Sequence, residues 1–560
     1  MLDVLIIGAG PHALTLASLL KHPNFSNSAN DAHILDGIFL SKTRMKNGKS
    51  RTKGKNEVTK IIEQANNLLK QVDTPESPPL SVKVVDPYGE WVTLWQKQFN
   101  ALRIPHLRSH TLVHTDPFNK KALQEFAVKH ERTEELHSLP EHIYIQDENA
   151  FFNDSRLGKK EKKKLSASGA LKKSLYFSLP SSGLVMDFFQ QQIHRYHLES
   201  ILMKGTVERI IPILAVHNDQ MQSKNEQKSV QHFNIVLQNG DVIAARQVVL
   251  ATGPTRIQMA NIPSWVKSIH ESYPEERLQH TVQLIHYQDG KQVSASVCNS
   301  GERVLVVGGG LTSAHIILFA FQQGARNVHW VLRKHLQLKQ FDVGDIETLV
   351  GRYSHVEHGI KLDGLAYLRQ FYNERSLHKR LAMIRQARKG GAVTPEAYKQ
   401  MQEFIISGDL MIKTYSQVSE AKWSYKDQEW KIFLSTGERL TIDRIWLATG
   451  CKLDVSQDPL LTDITEEFPI QVLDGWPCLS ENLQWAPGCN CYLMGQYAAL
   501  QVKYFHFYIL MNGFTFIRVT THTYIYIYIY IYCYYYINYN INHLIGLVLV
   551  KPSLCTAIFC

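Results

Sequence analysis

A glycine turn that occurs twice, each time between an apolar run and an amphipathic stretch, constrains this chain more than any other feature. In residues 2–20, Leu2, Val4, Leu5, Ile6 and Ile7 run into Gly8-Ala9-Gly10-Pro11-His12-Ala13, then Leu14, Leu16, Leu19 and Leu20. That order predicts strand, tight turn and helix. Gly8 allows the sharp turn, Gly10 leaves the backbone bare for a pyrophosphate, and Ala13 is the small residue where helix meets strand. Amide groups at the helix N-terminus then face the phosphates. The second copy is Val304-Leu305-Val306-Val307-Gly308-Gly309-Gly310-Leu311-Thr312-Ser313-Ala314-His315. One such turn can be a plain turn. Two copies predict two dinucleotides.

Each copy needs a residue at the end of the next strand to read the ribose. After the first turn, the run Ser81-Val82-Lys83-Val84-Val85-Asp86 ends in an acid, and removing residues 21–79 restores the interval of about 20 residues expected of such a carboxylate. Asp86 is therefore a ribose ligand or the opening residue of the turn Asp86-Pro87-Tyr88-Gly89. After the second turn, a helix to about residue 323 and a strand over 327–332 close on Arg333-Lys334, with Arg333 23 positions beyond Gly310. A cation there suits a 2′-phosphate, so the spacing predicts NADPH rather than NADH.

The chain's 560 residues allow two or more domains, and 44% apolar content is that of a globular protein. The net charge of +10 is no nucleic-acid signal once located. Residues 21–80 hold 10 Lys/Arg against 6 Asp/Glu and residues 154–173 hold 8 against 2, which accounts for +4 and +6. Both segments are rich in Ser, Asn, Lys and Gly and read as disordered insertions without aromatic interleaving. Eight cysteines without a CxxC suggest neither a disulfide framework nor a zinc site. With no signal peptide before the first strand, the expected compartment is the cytoplasm.

Downstream come Gly89-Glu90-Trp91-Val92-Thr93-Leu94-Trp95 and then Leu107-Arg108-Ser109-His110 through Asp116-Pro117-Phe118. The order of glycine turn, acidic strand end, Trp-bearing segment and "LRS…DPF" loop resembles the flavin-dependent N-hydroxylating monooxygenases, the lysine and ornithine hydroxylase family, and related FAD/NAD(P)-binding oxidoreductases. Family members tend to carry Lys-Asp where this chain has Arg108-Ser109. His110 and His114 stand at i, i+4, but Thr, Val and a following Asp-Pro argue against a helix and no Glu follows His110, so a flavin-side loop is expected and no metal. The resemblance implies FAD at the first turn, with Gly8, Gly10, Pro11, Ala13, Asp86 and Trp95 at the cofactor. It implies NADPH at the second, with Gly308, Gly310, Ser313, Arg333 and Lys334.

A buried strand ending in Ala251-Thr252-Gly253 resembles the linker motif of two-dinucleotide flavoproteins, and the tripeptide returns at Ala448-Thr449-Gly450. Thr252, Gly253, Thr449 and Gly450 are accordingly expected at the cofactors, the pair framing an inserted domain. Residues 339–411 are expected to be helical and charged, with Arg352, Lys361 and Asp363 as unassigned substrate-side candidates. Gly495, after Leu493-Met494, resembles the turn that returns to the flavin. Relatives continue into a closing helix, whereas this chain runs into alternating Ile and Tyr over 524–532, as an A-T dinucleotide repeat would encode. That pattern predicts intronic or mis-assembled gene sequence, ahead of an aggregation-prone strand or a membrane span, for which residues 504–517 are too short.

The expected fold class is α/β: two Rossmann-like three-layer dinucleotide-binding domains, the NADP domain (301–444) inserted in the FAD domain (1–300 and 445–502), with 503–560 a low-complexity tail. The resemblance implies a monooxygenase in which reduced flavin adds O2 at C4a and the hydroperoxide oxidises a small molecule, an amino-acid amine above all. Partners are then a small-molecule substrate and O2, with no nucleic acid or membrane. No residue is assigned a catalytic role. An alternative class is an inactive or regulatory FAD/NADPH-binding protein. A disulfide reductase ranks below both, since Cys489-Asn490-Cys491 lacks the strand-to-helix setting that activates a thiol.

Overall fold

The computed structural model describes residues 1–21, 80–109, 111, 113–119, 121–137, 178–215, 228–253, 260–286, 298–338, 374–387 and 392–501. Expectations for the two basic insertions, for residues 503–560, and for His110, Arg352, Lys361 and Asp363 lie outside these residues.

Two sheets built around parallel strands organise the chain, the first also carrying the antiparallel hairpin Val207–Leu214 and Val230–Leu237 beside Val242–Leu250. In the first, the strands run in the order Gln484–Ala486, Cys489–Leu493, Val242–Leu250, Leu2–Ile7, Val82–Asp86 and Leu202–Lys204. All neighbours from Cys489–Leu493 onward are parallel, with Ile7 beside both Val85 and Leu250. Alternate residues of a strand face opposite sides, so an apolar run such as Leu2–Ile7 fills two cores at once. Val4 and Ile6 pack with the helices Pro11–Lys21 and Ser182–Arg195. Leu5 and Ile7 pack on the other side, against the hairpin Val207–Leu214 and Val230–Leu237 and residues around Leu461 and Phe468.

In the second sheet, parallel throughout, the order is Leu410–Lys413, Asn327–Val331, Arg303–Val307, Arg444–Leu447, Leu278–His280. Val304, Val306 and Trp330 face the helices Leu311–Gln322 and Pro395–Ser407. Leu305, Ile445 and Leu447 face a three-stranded antiparallel sheet of Val418–Ser424, Glu429–Leu434 and Arg439–Ile442. The helix Pro395–Ser407 shows why boundaries fall where they do. Thr394 Oγ1 accepts the Ala397 N–H, Pro395 occupies the first turn where its missing N–H costs nothing, and Gly408 ends the helix at φ 83°.

One expectation is corrected. The segment expected to be helical to about residue 411 stops at Ser407, because Gly408 caps it and Leu410–Lys413 pairs with Asn327–Val331. The second sheet takes strands from both sides of 301–444, namely Leu278–His280 and Arg444–Leu447. Ala448-Thr449-Gly450 ends a strand of the second sheet, and just beyond it Leu453 and Val455 enter the first core, so each sheet holds its own copy of the tripeptide. Conversely, the helix Leu377–Ala387 buries Leu381 and Ile384 in the first core, and its Arg380 donates to the Leu500 carbonyl at 2.9 Å. The chain crosses between the two sheets more often than a simple insertion would.

Candidate active site: two glycine cradles

At the C-terminal end of the first sheet, Gly8 has φ 101° and a Cβ on it would lie 2.8 Å from the Ala251 carbonyl oxygen. Gly8 is thus demanded twice, by conformation and by the passage of Ala251-Thr252-Gly253. The turn is held from three sides. The Gly8 N–H donates to Val85 O at 2.8 Å, the Ala9 N–H to Asp86 Oδ2 at 3.0 Å, and the Val92 N–H to Ala9 O at 2.8 Å. Gly10 differs: its φ is outside the left-handed region and a Cβ would meet nothing within 4 Å. Neither strain nor packing explains a glycine there. Open space beside a bare helix N-terminus fits close approach of a phosphate.

Asp86 opens the turn that one of its two sequence readings expects. Oδ1 accepts the Tyr88 N–H at 2.9 Å, as an Asx turn requires, while Oδ2 reaches across to the glycine turn. Burial pushes its carboxyl up from the ordinary value, and the two backbone N–H groups pull it back in part. Thr252 bonds the Gly253 carbonyl at 3.2 Å, and Gly253, at φ 68°, again faces open space. The Met494 N–H donates to Leu250 O at 2.9 Å, which brings Gly495 (φ 73°) to the same sheet end. Pro11 opens the helix, and Ala13 is fully buried between helix and strand. Trp95 meets Phe99 and Phe189 edge-on at 5.5 and 6.4 Å, ring contacts that belong to the core beneath the turn.

The second sheet repeats the construction. Gly308 has φ 135° and a Cβ would fall 2.2 Å from the Ala448 carbonyl oxygen, while a Cβ on Gly310 would meet nothing within 4 Å. The Gly308 carbonyl accepts from Trp330 Nε1 at 2.6 Å and from Ser313 Oγ at 2.8 Å. Ser313 is fully buried, so its hydroxyl serves the turn. Arg333 and Lys334 follow the strand Asn327–Val331, both exposed and neither in an ion pair among the described residues. Gly450 has φ 76° and open space. Its tripeptide is fastened by a residue that sequence reasoning passed over. Thr449 Oγ1 donates to Asn261 O at 2.6 Å, and the Asn261 N–H to Gly450 O at 2.9 Å. Asn261 Nδ2 completes the clamp on Thr449 O at 3.3 Å. No periodicity or motif marks Asn261, because its partners lie 188 positions away.

Residues 105–109 and 113–119 touch helices of both sheets. Asp116, buried, accepts from the Phe118 and Asn119 N–H groups at 2.9 and 3.1 Å and from Arg195 at 3.1 Å. Gln192 Nε2 donates to Ser18 Oγ at 2.7 Å and Thr115 O at 3.0 Å, tying the loop to the helix that leaves the first turn. On the other side, His106 Nε2 meets Glu396 Oε2 of the helix Pro395–Ser407 at 2.9 Å. His114 packs on the Phe188 ring at 5.6 Å, and no group of three metal-ligating side chains occurs among the described residues. Cys489 and Cys491 are free and buried, and burial pushes both thiols up, Cys489 to about 12. A redox-active thiol needs the opposite shift.

Residues 214–452 match the family described as L-lysine 6-monooxygenase/L-ornithine 5-monooxygenase. No curated protein matches the chain by sequence. In fold, the chain is similar to the L-lysine 6-monooxygenase of Pseudomonas syringae, with TM-score 0.51 and 15% identity, over 97% of this chain and 100% of that one. It is also similar to the ornithine hydroxylase of Pseudomonas aeruginosa, with TM-score 0.51 and 14% identity, over 89% and 93%. A third is the desferrioxamine-pathway cadaverine monooxygenase of Erwinia amylovora, described bound to FAD, with TM-score 0.50 and 12% identity over 98% and 95%. Residues 214–452 thus resemble the lysine/ornithine monooxygenase family, and the chain shares the mixed α/β fold of these solved structures.

Proposed function

We propose that the chain is a monooxygenase that holds FAD at the first glycine cradle and NADPH at the second, and hydroxylates the amine of an amino-acid-like substrate. The observation that carries this reading is the duplicated cradle. Gly8 and Gly308 are each pressed against an Ala-Thr-Gly strand end, while Gly10 and Gly310 have no reason within the protein to lack a side chain. When bound, the cofactors supply hydride transfer and O2 activation. The chain's own part is to hold and orient them. Gly10 and Gly310 let the backbone approach the pyrophosphates, and Asp86 faces the first ribose with the lone pairs its two N–H bonds leave over. Arg333 and Lys334 offer charge to a 2′-phosphate. The flavin part comprises 1–300 and 445–502 and the nicotinamide part 301–444, the second sheet borrowing a strand from each flank. The amine substrate rests on the family named by the match over 214–452. The raised thiols of Cys489 and Cys491 speak against a disulfide reductase. No helix among the described residues is long and apolar enough to cross a membrane. A cytoplasmic setting accompanies this reading.

The test is to purify the full chain, record its flavin spectrum, add NADPH, and follow labelled O2 into products across amines, sulfides and ketones. The reading expects a flavin bleached by NADPH and label in one product class, the amines. Peroxide release alone across the panel would instead make the chain an NADPH oxidase, and folded protein without flavin would favour a regulatory binder.

A further inference from the structure

We propose that the cleft between segment 102–105 and the helices Leu311–Gln322 and Pro395–Ser407 binds a small carboxylic acid with an apolar, planar body, separately from both glycine cradles. The cleft holds about 610 Å3, inside the range of roughly 300–1,000 Å3 typical of small-molecule sites. Its walls run from His315 to Gln322 on the first helix, five to twelve residues past Gly310. At 1.5 Å per residue that is roughly 7–18 Å down the axis from the N-terminus that faces the nucleotide.

The lining chemistry selects the ligand. Phe321 and Phe404 stack at 4.0 Å and 3°, and Leu318 and Phe319 extend the apolar wall. Two exposed cations, Arg103 and Lys399, border it against one carboxylate, Glu403, and neither cation is in an ion pair among the described residues. Arg103 is set in place: its backbone has φ 47°, which arginine rarely adopts, Nη1 donates to Gln322 Oε1 at 2.9 Å, and the guanidinium lies 5.1 Å from the Phe319 ring. Its remaining N–H groups form a fork suited to a carboxylate. Deeper in, His315 lines the cleft and makes no hydrogen bond among the described residues. Shielding within the fold pushes its imidazole down to about 4, so near neutral pH it offers one donor and one acceptor without charge. An apolar shelf, an oriented guanidinium, a second cation and an uncommitted imidazole form a site complementary to an aromatic or branched acid.

The experiment is calorimetric titration of the full chain with phenylacetate, benzylamine and benzyl alcohol, with and without NADPH. The expected result is saturable phenylacetate binding at least tenfold tighter than either analogue, unchanged by NADPH. The double variant Arg103→Gln/Lys399→Gln should lose at least tenfold for phenylacetate while keeping its melting temperature, since both side chains are exposed. Absent saturation, equal binding of benzylamine, displacement by NADPH, or full affinity in the double variant would each overturn the proposal. None of these readouts requires flavin or turnover, so the outcome is independent of the proposed reaction.

Discussion

Gly10 and Gly310 are defined by what is missing beside them, and substitution tests that directly. Gly10→Val places two methyl groups where a phosphate would approach. The variant should purify folded but without flavin, and a fully flavinated, folded Gly10→Val would remove the first cradle as a cofactor site. Arg333→Ala should raise KM for NADPH by roughly 10- to 100-fold, the worth of a hydrogen bond to a charged group, with KM for NADH almost unchanged. Steady-state kinetics decide it, and equal loss for both nucleotides would contradict the assignment. Asn261→Ala removes only the Nδ2 bond to Thr449, because the other two clamp bonds use its backbone. The expected effect is a few-fold rise in KM for NADPH with kcat and flavin content preserved, and a fall in flavin content would place Asn261 at the other cradle. The place of Arg333 just past a strand follows from its spacing to Gly310, whereas Asn261 meets Thr449 only when the linker folds against a strand end 188 residues later.

Among the elements, the strand Arg444–Leu447 shows how charge fastens a strand inside a sheet. Arg444 Nε donates to Glu302 Oε2 at 2.9 Å, and Arg277 Nη1 reaches Oε1 at 2.8 Å. Arg303 bonds Asp443 through Nε and Nη2 at 2.9 and 2.6 Å. Burial alone would raise the Glu302 carboxyl, but Arg444, the Asn299 N–H and Arg277 together hold it below its ordinary value. Arg444→Met should destabilise the fold by about 3 kcal/mol, because it leaves a buried carboxylate short of its main partner. Glu302→Leu with Arg444→Met should cost less, and urea titration that found the single variant as stable as the parent would refute the argument. Strand existence here is legible from the apolar runs 304–307 and 445–447. Which sheet the second run joins is not, since pairing depends on contacts more than a hundred residues apart.

For the whole molecule, three histidines set a dependence on pH. Burial depresses His280, His315 and His329 to about 4 each, against an ordinary 6.5. Their unfolded forms bind protons that the folded forms refuse, so stability is fully present above about 6.5 and falls as pH drops toward 4. Each histidine can contribute at most about 1.4 kcal/mol per pH unit in that window. Urea midpoints should therefore decline from pH 7 to pH 5, before the lowered carboxylates Glu302 and Asp443 begin to protonate. A flat profile between those values would show that the three rings are solvated in the fold.

The sequence by itself determined the two strand-turn-helix cradles, the acidic end of the strand Val82–Asp86 and the cationic end of its counterpart, because these are local patterns: periodicity, a glycine at a tight turn, and a spacing that one βαβ unit imposes. Only the tertiary structure decided that each Ala-Thr-Gly abuts its own glycine turn, that the helix Leu377–Ala387 packs on the first core, and that Asn261, Gln192 and His315 face the places they do. Those facts depend on backbone approach and side-chain contact between residues far apart in the chain, where a single sequence carries no periodic signal.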